Sequence, residues 1–240
     1  MLPIRKLFHK LLSGLLLIIS HSHKFGYIAI PKTGSTSVAC YLSDSGLLED
    51  TDIYANKAVK NFKEEVSRLN PEDNPKFGRN TRIGQISLAY VHTKYKDAVI
   101  DNPEIKDYRI YATIRNPLDR ALSGAVMFRG NNKDGIVSFI EDILSSRFLF
   151  SVPQHEYFED NAILWPTEKL HEKITGFITT EGGSVRGCWQ CRNNNSADYK
   201  NYLGIDLTQR LLDFYSKDFE LWENAMKSNS ESKAHNLEAV

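Results

Sequence analysis

The sequence predicts a three-layer α/β/α fold with a central parallel sheet and a P-loop-like anion-binding loop. Residues 27–30 form a short apolar run that leads into a loop with one glycine and then into a helix start. Residues 108–114, about eighty positions later, repeat this order of strand, loop and helix start. Repeated units of this kind pack as a parallel sheet between helices. With 240 residues, of which 41% are hydrophobic, the chain can build one such domain.

Three regions are expected along the chain. Residues 1–22 are predicted to form an amphipathic N-terminal helix, residues 23–226 the main domain, and residues 227–240 a polar, frayed tail. The N-terminal apolar stretch is too short to cross a bilayer, which takes about 20 residues.

The apolar positions of the N-terminal helix are expected to pack on the domain or to rest on a membrane surface. These positions are Leu7, Leu11, Leu15 and Ile18. A signal peptide that ends near Ser22 is the alternative. The expected location is therefore cytoplasmic, with peripheral membrane contact as an option and a membrane-anchored or secretory protein as the alternative.

The charge balance argues against a nucleic-acid partner. The formal net charge is zero, whereas a general nucleic-acid-binding protein usually carries a clustered excess of Lys and Arg. The local excess of basic residues falls in the first half of the chain, which also contains both strand–loop–helix units.

The first candidate site follows the strand at 27–30. Pro31 ends the strand, Gly34 permits a tight turn, and a helix is expected to begin near Val38. A helix start offers free backbone N–H donors, and a lysine adds a full positive charge, so this loop can hold a phosphate or sulfate. The residues assigned to the loop are Lys32, Thr33, Gly34, Ser35, Thr36 and Ser37. The spacing differs from that of a Walker P-loop, and an ordinary strand-to-helix turn is the alternative.

The second candidate site follows the strand at 108–114. Asn116 is expected to cap a helix that has Pro117 in its first turn. Arg115 then lies at the end of the strand and Ser123 two turns along the helix, where a guanidinium and a hydroxyl can bind a second phosphate. Taken alone, Arg115 and Arg120 could be surface charges. Two anion sites at the ends of two strands fit a ligand that carries phosphate at both ends.

The two motifs resemble the cofactor-binding signatures of sulfotransferases that use 3′-phosphoadenosine 5′-phosphosulfate (PAPS). The matching segments are residues 31–37 and 114–123, and the resemblance extends over roughly residues 25–225. It is closest to the carbohydrate branch, typified by the heparan sulfate 2-O-sulfotransferases and their bacterial relatives. The resemblance implies that the first loop holds the 5′-phosphosulfate and that Arg115 and Ser123 hold the 3′-phosphate. Gly124 and Ala125 depart from the pattern, because an aromatic residue often follows the serine.

The catalytic base is predicted to be a histidine. His92 precedes the second strand and resembles the catalytic histidine of that branch, and an imidazole can remove a hydroxyl proton near neutral pH. His155 is the second candidate, and with Tyr157 it lies in a segment that resembles a stretch near the acceptor. Core packing explains Tyr157 equally well. Glu64 and Glu65 are weaker candidates on an expected exposed helix face.

The remaining predictions concern the second half of the chain. A helix is expected over 136–144, a strand over 177–180, and a helix that begins with a capping box at 206–209 and continues through Trp222. The loop 182–198 has the position at which the family closes a basic loop over the nucleotide, so its two arginines are assigned to the cofactor: Arg186 and Arg192. Cys188 and Cys191 indicate a local disulfide or two thiols rather than a zinc site, for which further ligands are missing.

The expected function is therefore transfer of a sulfuryl group from PAPS to a hydroxyl of an acceptor, without a metal. The resemblance to the carbohydrate branch implies a carbohydrate acceptor. Lys32 and His92 are the expected catalytic residues, and His155 and Tyr157 the expected acceptor-binding residues. One alternative is a catalytically inactive PAPS-binding or membrane-surface adaptor protein. The other is a nucleotide kinase, which the missing Walker motif argues against.

Overall fold

The computed structural model describes residues 17–49, 94–145, 152–186 and 196–235. The strands are β1 (Leu17–Ser20), β2 (Phe25–Ile28), β3 (Arg109–Ile114) and β4 (Ile163–Pro166). The helices are α1 (Ser35–Ser45), α2 (Tyr95–Asp101), α3 (Pro117–Arg129), α4 (Lys133–Leu144), α5 (Leu170–Thr180), α6 (Ile205–Phe214) and α7 (Ser216–His235). Short 3-10 turns cover Pro103–Asp107, Gln154–Glu156, Thr167–Lys169 and Ser196–Tyr202.

The strands of the described residues form one mixed sheet in the order β1-β2-β3-β4. The strands β2, β3 and β4 are parallel, with Tyr27 opposite Tyr111 and Thr113 opposite Trp165. The edge strand β1 runs antiparallel to β2. The sheet is therefore mostly parallel and surrounded by helices, which confirms an α/β fold.

Apolar side chains cover the sheet on both faces. Successive strand residues point to opposite faces, so Tyr27 joins the cluster with α1 and α5, whereas Ile28 joins the cluster with α2. On the first face the rings of Tyr111 and Trp165 lie 4.8 Å apart. A third cluster packs α3, α4 and α6 against one another. These contacts fix the ends of β2 and β3, from which the candidate site is built.

The predicted helix over residues 1–22 is wrong at its C-terminal end. Residues 17–20 form β1, and Ile18 pairs with Tyr27 instead of lying on a helix. A short apolar run has no clear period, so its β-branched Ile18 and Ile19 fit a strand as well as a helix. The other expected contact positions of that helix lie outside the described residues.

The strand expected at 177–180 is also wrong, because these residues form the last turn of α5. Leu170, Ile174 and Ile178 follow a helical spacing and pack on the sheet. The run of β-branched and aromatic residues at its end misleads a local prediction because tertiary packing overrides propensity.

The C-terminal helices differ from prediction in their starts and ends. The helix α4 confirms the prediction for 136–144. The helix α6 begins after Gly204 and has no side-chain cap, so the predicted capping box at Asp206 is wrong. Trp222 lies in the separate helix α7, which continues to His235 past the expected domain end at 226. No helix in the described ranges is long and apolar enough to cross a membrane.

Candidate anion-binding site

The two predicted anion-binding segments lie side by side at one edge of the sheet. They follow β2 and β3, which are adjacent and parallel, so both segments leave the sheet in the same direction. The Arg115 side chain reaches the first loop, where its Nη1 donates to the Lys32 carbonyl over 3.3 Å. The positive charges of Lys32 and Arg115 are therefore concentrated at one place.

The first loop has the tight turn that the sequence predicts. Gly34 adopts a left-handed conformation with φ 84° and ψ 13°, and α1 begins at Ser35 rather than near Val38. The residue Lys32 is also left-handed, with φ 65°. This conformation is uncommon for a residue with a Cβ and is often found at functional sites. The helix α1 has no side-chain cap, so its first N–H groups are not covered by a capping side chain.

The surroundings of the Lys32 amine disfavour its positive charge. Its Nζ lies 3.3 Å from the Met127 Sδ and forms no ion pair with any other described residue. Burial, and then the charge of Arg115, lowers the pKa of Lys32 from its ordinary 10.5 to about 8. A nearby anion would compensate both effects.

The Thr33 hydroxyl is committed to the protein interior, in contrast to its predicted place in the cradle. It donates to the Ile30 carbonyl over 2.8 Å and lies 2.6 Å from the Thr113 hydroxyl, which is 2.8 Å from the Tyr27 hydroxyl. A hydroxyl has one proton, so Thr113 must donate to Thr33, and Tyr27 must donate to Thr113. These hydrogen bonds connect the loop to β2 and β3. Thr33 can therefore offer an anion only its backbone.

Thr167 joins the two segments, a contact that sequence reasoning missed. Its hydroxyl lies 2.9 Å from the Thr33 carbonyl and 3.1 Å from the Ile114 carbonyl. The residue begins the turn after β4, the third parallel strand. A threonine after an apolar strand carries no local signal for this contact, because its partners are distant in sequence.

The second segment confirms the predicted helix start. The Asn116 side chain accepts from the backbone N–H groups of Leu118 and Asp119, and Pro117 occupies the first turn. Ser123 is only 3% exposed, so its hydroxyl lies inside the fold, one helix turn after Arg120. The next residue, Gly124, has no room for a larger side chain without movement, because an added Cβ would lie 3.1 Å from the Phe139 ring.

Arg120 is buried, which corrects its interpretation as a surface charge. The side chain is 3% exposed. Its Nε donates to the Pro31 carbonyl over 3.0 Å, and its Nη1 and Nη2 each donate to the Val152 carbonyl over 3.2 Å. Arg120 therefore fastens the first loop to the segment that begins at Val152.

We expect Arg120→Met to lower the free energy of unfolding by about 1–3 kcal/mol, the cost of leaving buried hydrogen-bonding groups unsatisfied. Chemical denaturation measures this change. Arg210→Met is the matched control, because Arg210 is exposed and pairs with the exposed Glu141. An exposed ion pair contributes little to the free energy of unfolding. Equal losses in the two variants would show that the Arg120 contacts do not stabilise the fold.

The segment 152–157 forms a third side of the site. The Gln154 side chain accepts from the Arg115 N–H over 3.0 Å and donates to the Arg115 carbonyl over 2.9 Å. This double contact fixes the backbone from which the Arg115 side chain extends. Gln154 directly precedes His155 in the segment that resembles a stretch near the acceptor, but its contact with Arg115, 39 positions away, has no local sequence signal.

His155 is paired with a buried carboxylate. Its Nδ1 lies 2.7 Å from the Asp218 Oδ1, and its side chain is 24% exposed. Tyr157, by contrast, is 1% exposed and packs in the core, where burial raises the pKa of its hydroxyl to about 12. The structure thus favours the core alternative for Tyr157 over acceptor contact.

Several predicted residues cannot be placed. His92 and Arg192 lie outside the described residues, as do Glu64, Glu65, Cys188 and Cys191. Arg186 is exposed at the end of a described range, and Thr36 and Ser37 lie in the first turn of α1. The described residues contain no group of three His, Cys, Asp or Glu side chains that could hold a metal ion.

Comparisons with known proteins give no family assignment. No protein-family model, curated protein or solved structure matches the chain.

Proposed function

We propose that the protein is a PAPS-dependent O-sulfotransferase with a three-layer α/β/α arrangement and a P-loop-like phosphosulfate loop. One observation carries the proposal: the partly buried Lys32, three residues before the start of α1, lies beside Arg115 at the C-terminal ends of the parallel strands. Two cationic groups close together favour a ligand with several negative charges.

PAPS carries negative charge at two separate groups, which would match the two cationic loops. The 5′-phosphosulfate would bind the N–H groups of 34–36 and the Lys32 amine, while Arg115 would bind the 3′-phosphate. The Ser37 N–H already donates to the Gly34 carbonyl over 2.9 Å. The resemblance also assigns Ser123, whose hydroxyl is almost fully buried, and the loop arginines Arg186 and Arg192 to the cofactor. Because Thr33 uses its hydroxyl within the fold, it contributes only backbone.

The proposed reaction is in-line transfer of the sulfuryl group. The acceptor oxygen forms a bond to sulfur, and the bond from sulfur to the bridging oxygen breaks, leaving 3′-phosphoadenosine 5′-phosphate. Negative charge then grows on that bridging oxygen, where a lysine ammonium and backbone N–H groups can stabilise it. A base must also take the proton of the acceptor hydroxyl. The resemblance implied His92 for this role, and that residue lies outside the described part of the chain.

PAPS should raise the melting temperature by about 5–10 °C at a concentration near 100 times its Kd, because it binds only the folded state. ATP should raise it much less, since it has no 3′-phosphate for Arg115. Differential scanning fluorimetry with PAPS, its desulfated product and ATP measures the difference. Equal stabilisation by PAPS and ATP would contradict the assignment of Arg115 and favour a nucleotide kinase.

Affinity for the desulfated nucleotide should fall as the pH rises through about 8. The pKa of Lys32 is lowered to about 8, so the amine is charged below this pH and neutral above it. A bound anion favours the ammonium, so binding near this pH should take up a proton. Calorimetric titrations in buffers of different ionisation enthalpy measure this uptake. Lys32→Met should abolish the proton uptake near pH 8, and an unchanged uptake in that variant would exclude Lys32 as its source.

Turnover separates an enzyme from an adaptor protein. A screen with PAPS that carries radiolabelled sulfate, using chemically desulfated heparin, desulfated chondroitin and p-nitrophenol, distinguishes carbohydrate from small phenolic acceptors. Transfer to the polysaccharides is the expected result. Tight PAPS binding without transfer to any of them or to water would favour the adaptor.

A further inference from the structure

We propose that His155 is the catalytic base of this reaction and that Asp218 is the positioning residue that holds it in the active tautomer. The inference rests on the proposed function and deepens it. It assigns removal of the acceptor proton to His155, which lies among the described residues, in place of His92, which lies outside them. Asp218 lies in α7, far along the chain from either cofactor motif.

His155 is attached to the anion site through its own segment. The preceding residue, Gln154, holds both backbone polar groups of Arg115. Two residues further back, the Val152 carbonyl is tied through Arg120 to the Pro31 carbonyl in the first loop. The His155 backbone is thus fixed relative to both anion-binding segments, which a base needs in order to meet an acceptor consistently.

Asp218 is built to orient this histidine. The residue is fully buried, and its Oδ2 accepts from the Gln154 N–H over 2.6 Å. Its Oδ1 accepts from the His155 N–H over 3.0 Å and lies 2.7 Å from the His155 Nδ1. An ionised carboxylate only accepts hydrogen bonds, so Nδ1 must carry the ring proton. The lone pair is then on Nε2, which makes no hydrogen bond to any described residue.

The charged groups around His155 fit a base that becomes positive during the reaction. Asp218 contacts the ring directly, and Glu156 is the next residue along the chain, paired with Lys94. The buried cation of this region is Arg120, whose Cζ lies 6.0 Å from the centre of the Tyr215 ring. Tyr215 precedes Asp218 by three residues. The Asp218 carboxylate in contact with the ring can stabilise the imidazolium that forms when the base takes a proton.

In the proposed step, one bond to sulfur forms as another breaks. The acceptor oxygen forms its bond to sulfur while its proton passes to the His155 Nε2, and the electron pair of the broken bond stays on the leaving nucleotide. His155 is then an imidazolium held by Asp218. It returns the proton to solvent after the nucleotide has left.

A structural role must be separated from a chemical one, because the pair also fastens α7 to the 154–156 turn. His155→Asn does this: its amide can still donate to Asp218 in the position of Nδ1, but it has no counterpart of Nε2. We expect a melting temperature and an affinity for the desulfated nucleotide near those of the wild type. Turnover with desulfated heparin, or with water if that acceptor fails, should fall by about 10² to 10⁴.

His171→Asn is the matched control, since His171 is also bonded through Nδ1, to the Tyr41 hydroxyl over 2.8 Å, but is attached to α5. It should leave turnover unchanged. If His155→Asn keeps more than about a tenth of the rate, the pair is only structural and the inference is wrong. A loss confined to His92→Ala in the same assay would restore His92 as the base.

The tautomer gives a second test that needs no acceptor. Nitrogen NMR of the neutral wild-type ring should show a proton on Nδ1, and a proton on Nε2 would overturn the inference. Asp218→Asn should weaken the preference for the Nδ1 proton and reduce turnover, because its amide can face the ring with either the oxygen or the NH2 group. Asp213→Asn, on the exposed side of α6, should do neither. If PAPS does not bind the wild type at all, the proposed function fails whatever the tautomer. If PAPS binds and transfer proceeds without His155, only this inference fails.

Discussion

Lys32→Ala should reduce sulfuryl transfer by about 10² to 10³, the usual cost of losing one group that stabilises charge in the transition state. The affinity for the desulfated product should fall much less, because the proposed charge on the bridging oxygen grows as the sulfuryl group leaves. Both residues are L-amino acids, so alanine brings no additional strain to the left-handed conformation at φ 65°. Steady-state kinetics and product titration on the same protein measure the two effects.

Lys106→Ala is the control for this experiment. Lys106 is exposed and lies just before β3, at the opposite edge of the sheet from Lys32. It should change neither quantity. If Lys32→Ala weakens product binding as strongly as it slows transfer, Lys32 is a binding residue that does not act specifically on the transition state.

Arg115→Ala should weaken PAPS binding by about 10- to 100-fold, in line with loss of hydrogen bonds between charged groups. Adenosine 5′-phosphosulfate should be affected by no more than about threefold, because it lacks the 3′-phosphate that Arg115 would hold. Competition binding with the two nucleotides measures the selectivity directly.

Arg109→Ala offers a matched comparison on the same strand. Arg109 begins β3, and Arg115 follows its last residue, so the two arginines lie at opposite edges of the sheet. Arg109 pairs with Glu181 and should not alter nucleotide binding. A second outcome would correct the interpretation of Arg115. Its Nη1 contacts the Lys32 carbonyl, so equal weakening of both nucleotides would mean that Arg115 shapes the first loop and does not hold the 3′-phosphate.

The local features of the site could be predicted from neighbouring residues. An asparagine followed by proline and aspartate signals a helix start, and Asn116 caps α3 as expected. A glycine after an apolar strand signals a tight turn, and Gly34 supplies it. The approach of Lys32 to Arg115 could also be expected, because parallel strands bring their C-terminal ends to one edge.

The predictions for residues 17–20 and 177–180 failed because short apolar runs do not have a distinct period. Residues 17–20 became an edge strand through pairing with β2, and residues 177–180 became helical through the packing of α5 on the sheet. In both segments the deciding contacts come from other parts of the chain.

The sequence by itself thus determined the α/β class, the two loop–helix starts and the residues that can carry charge at their ends. Only the tertiary structure placed Arg120 on Pro31, Gln154 on Arg115 and His155 on Asp218. It also turned the Thr33 hydroxyl inward. Caps and turns depend on groups a few residues apart, whereas these contacts join residues from 39 to 89 positions apart. Such pairs form only once the sheet order and helix packing bring them together.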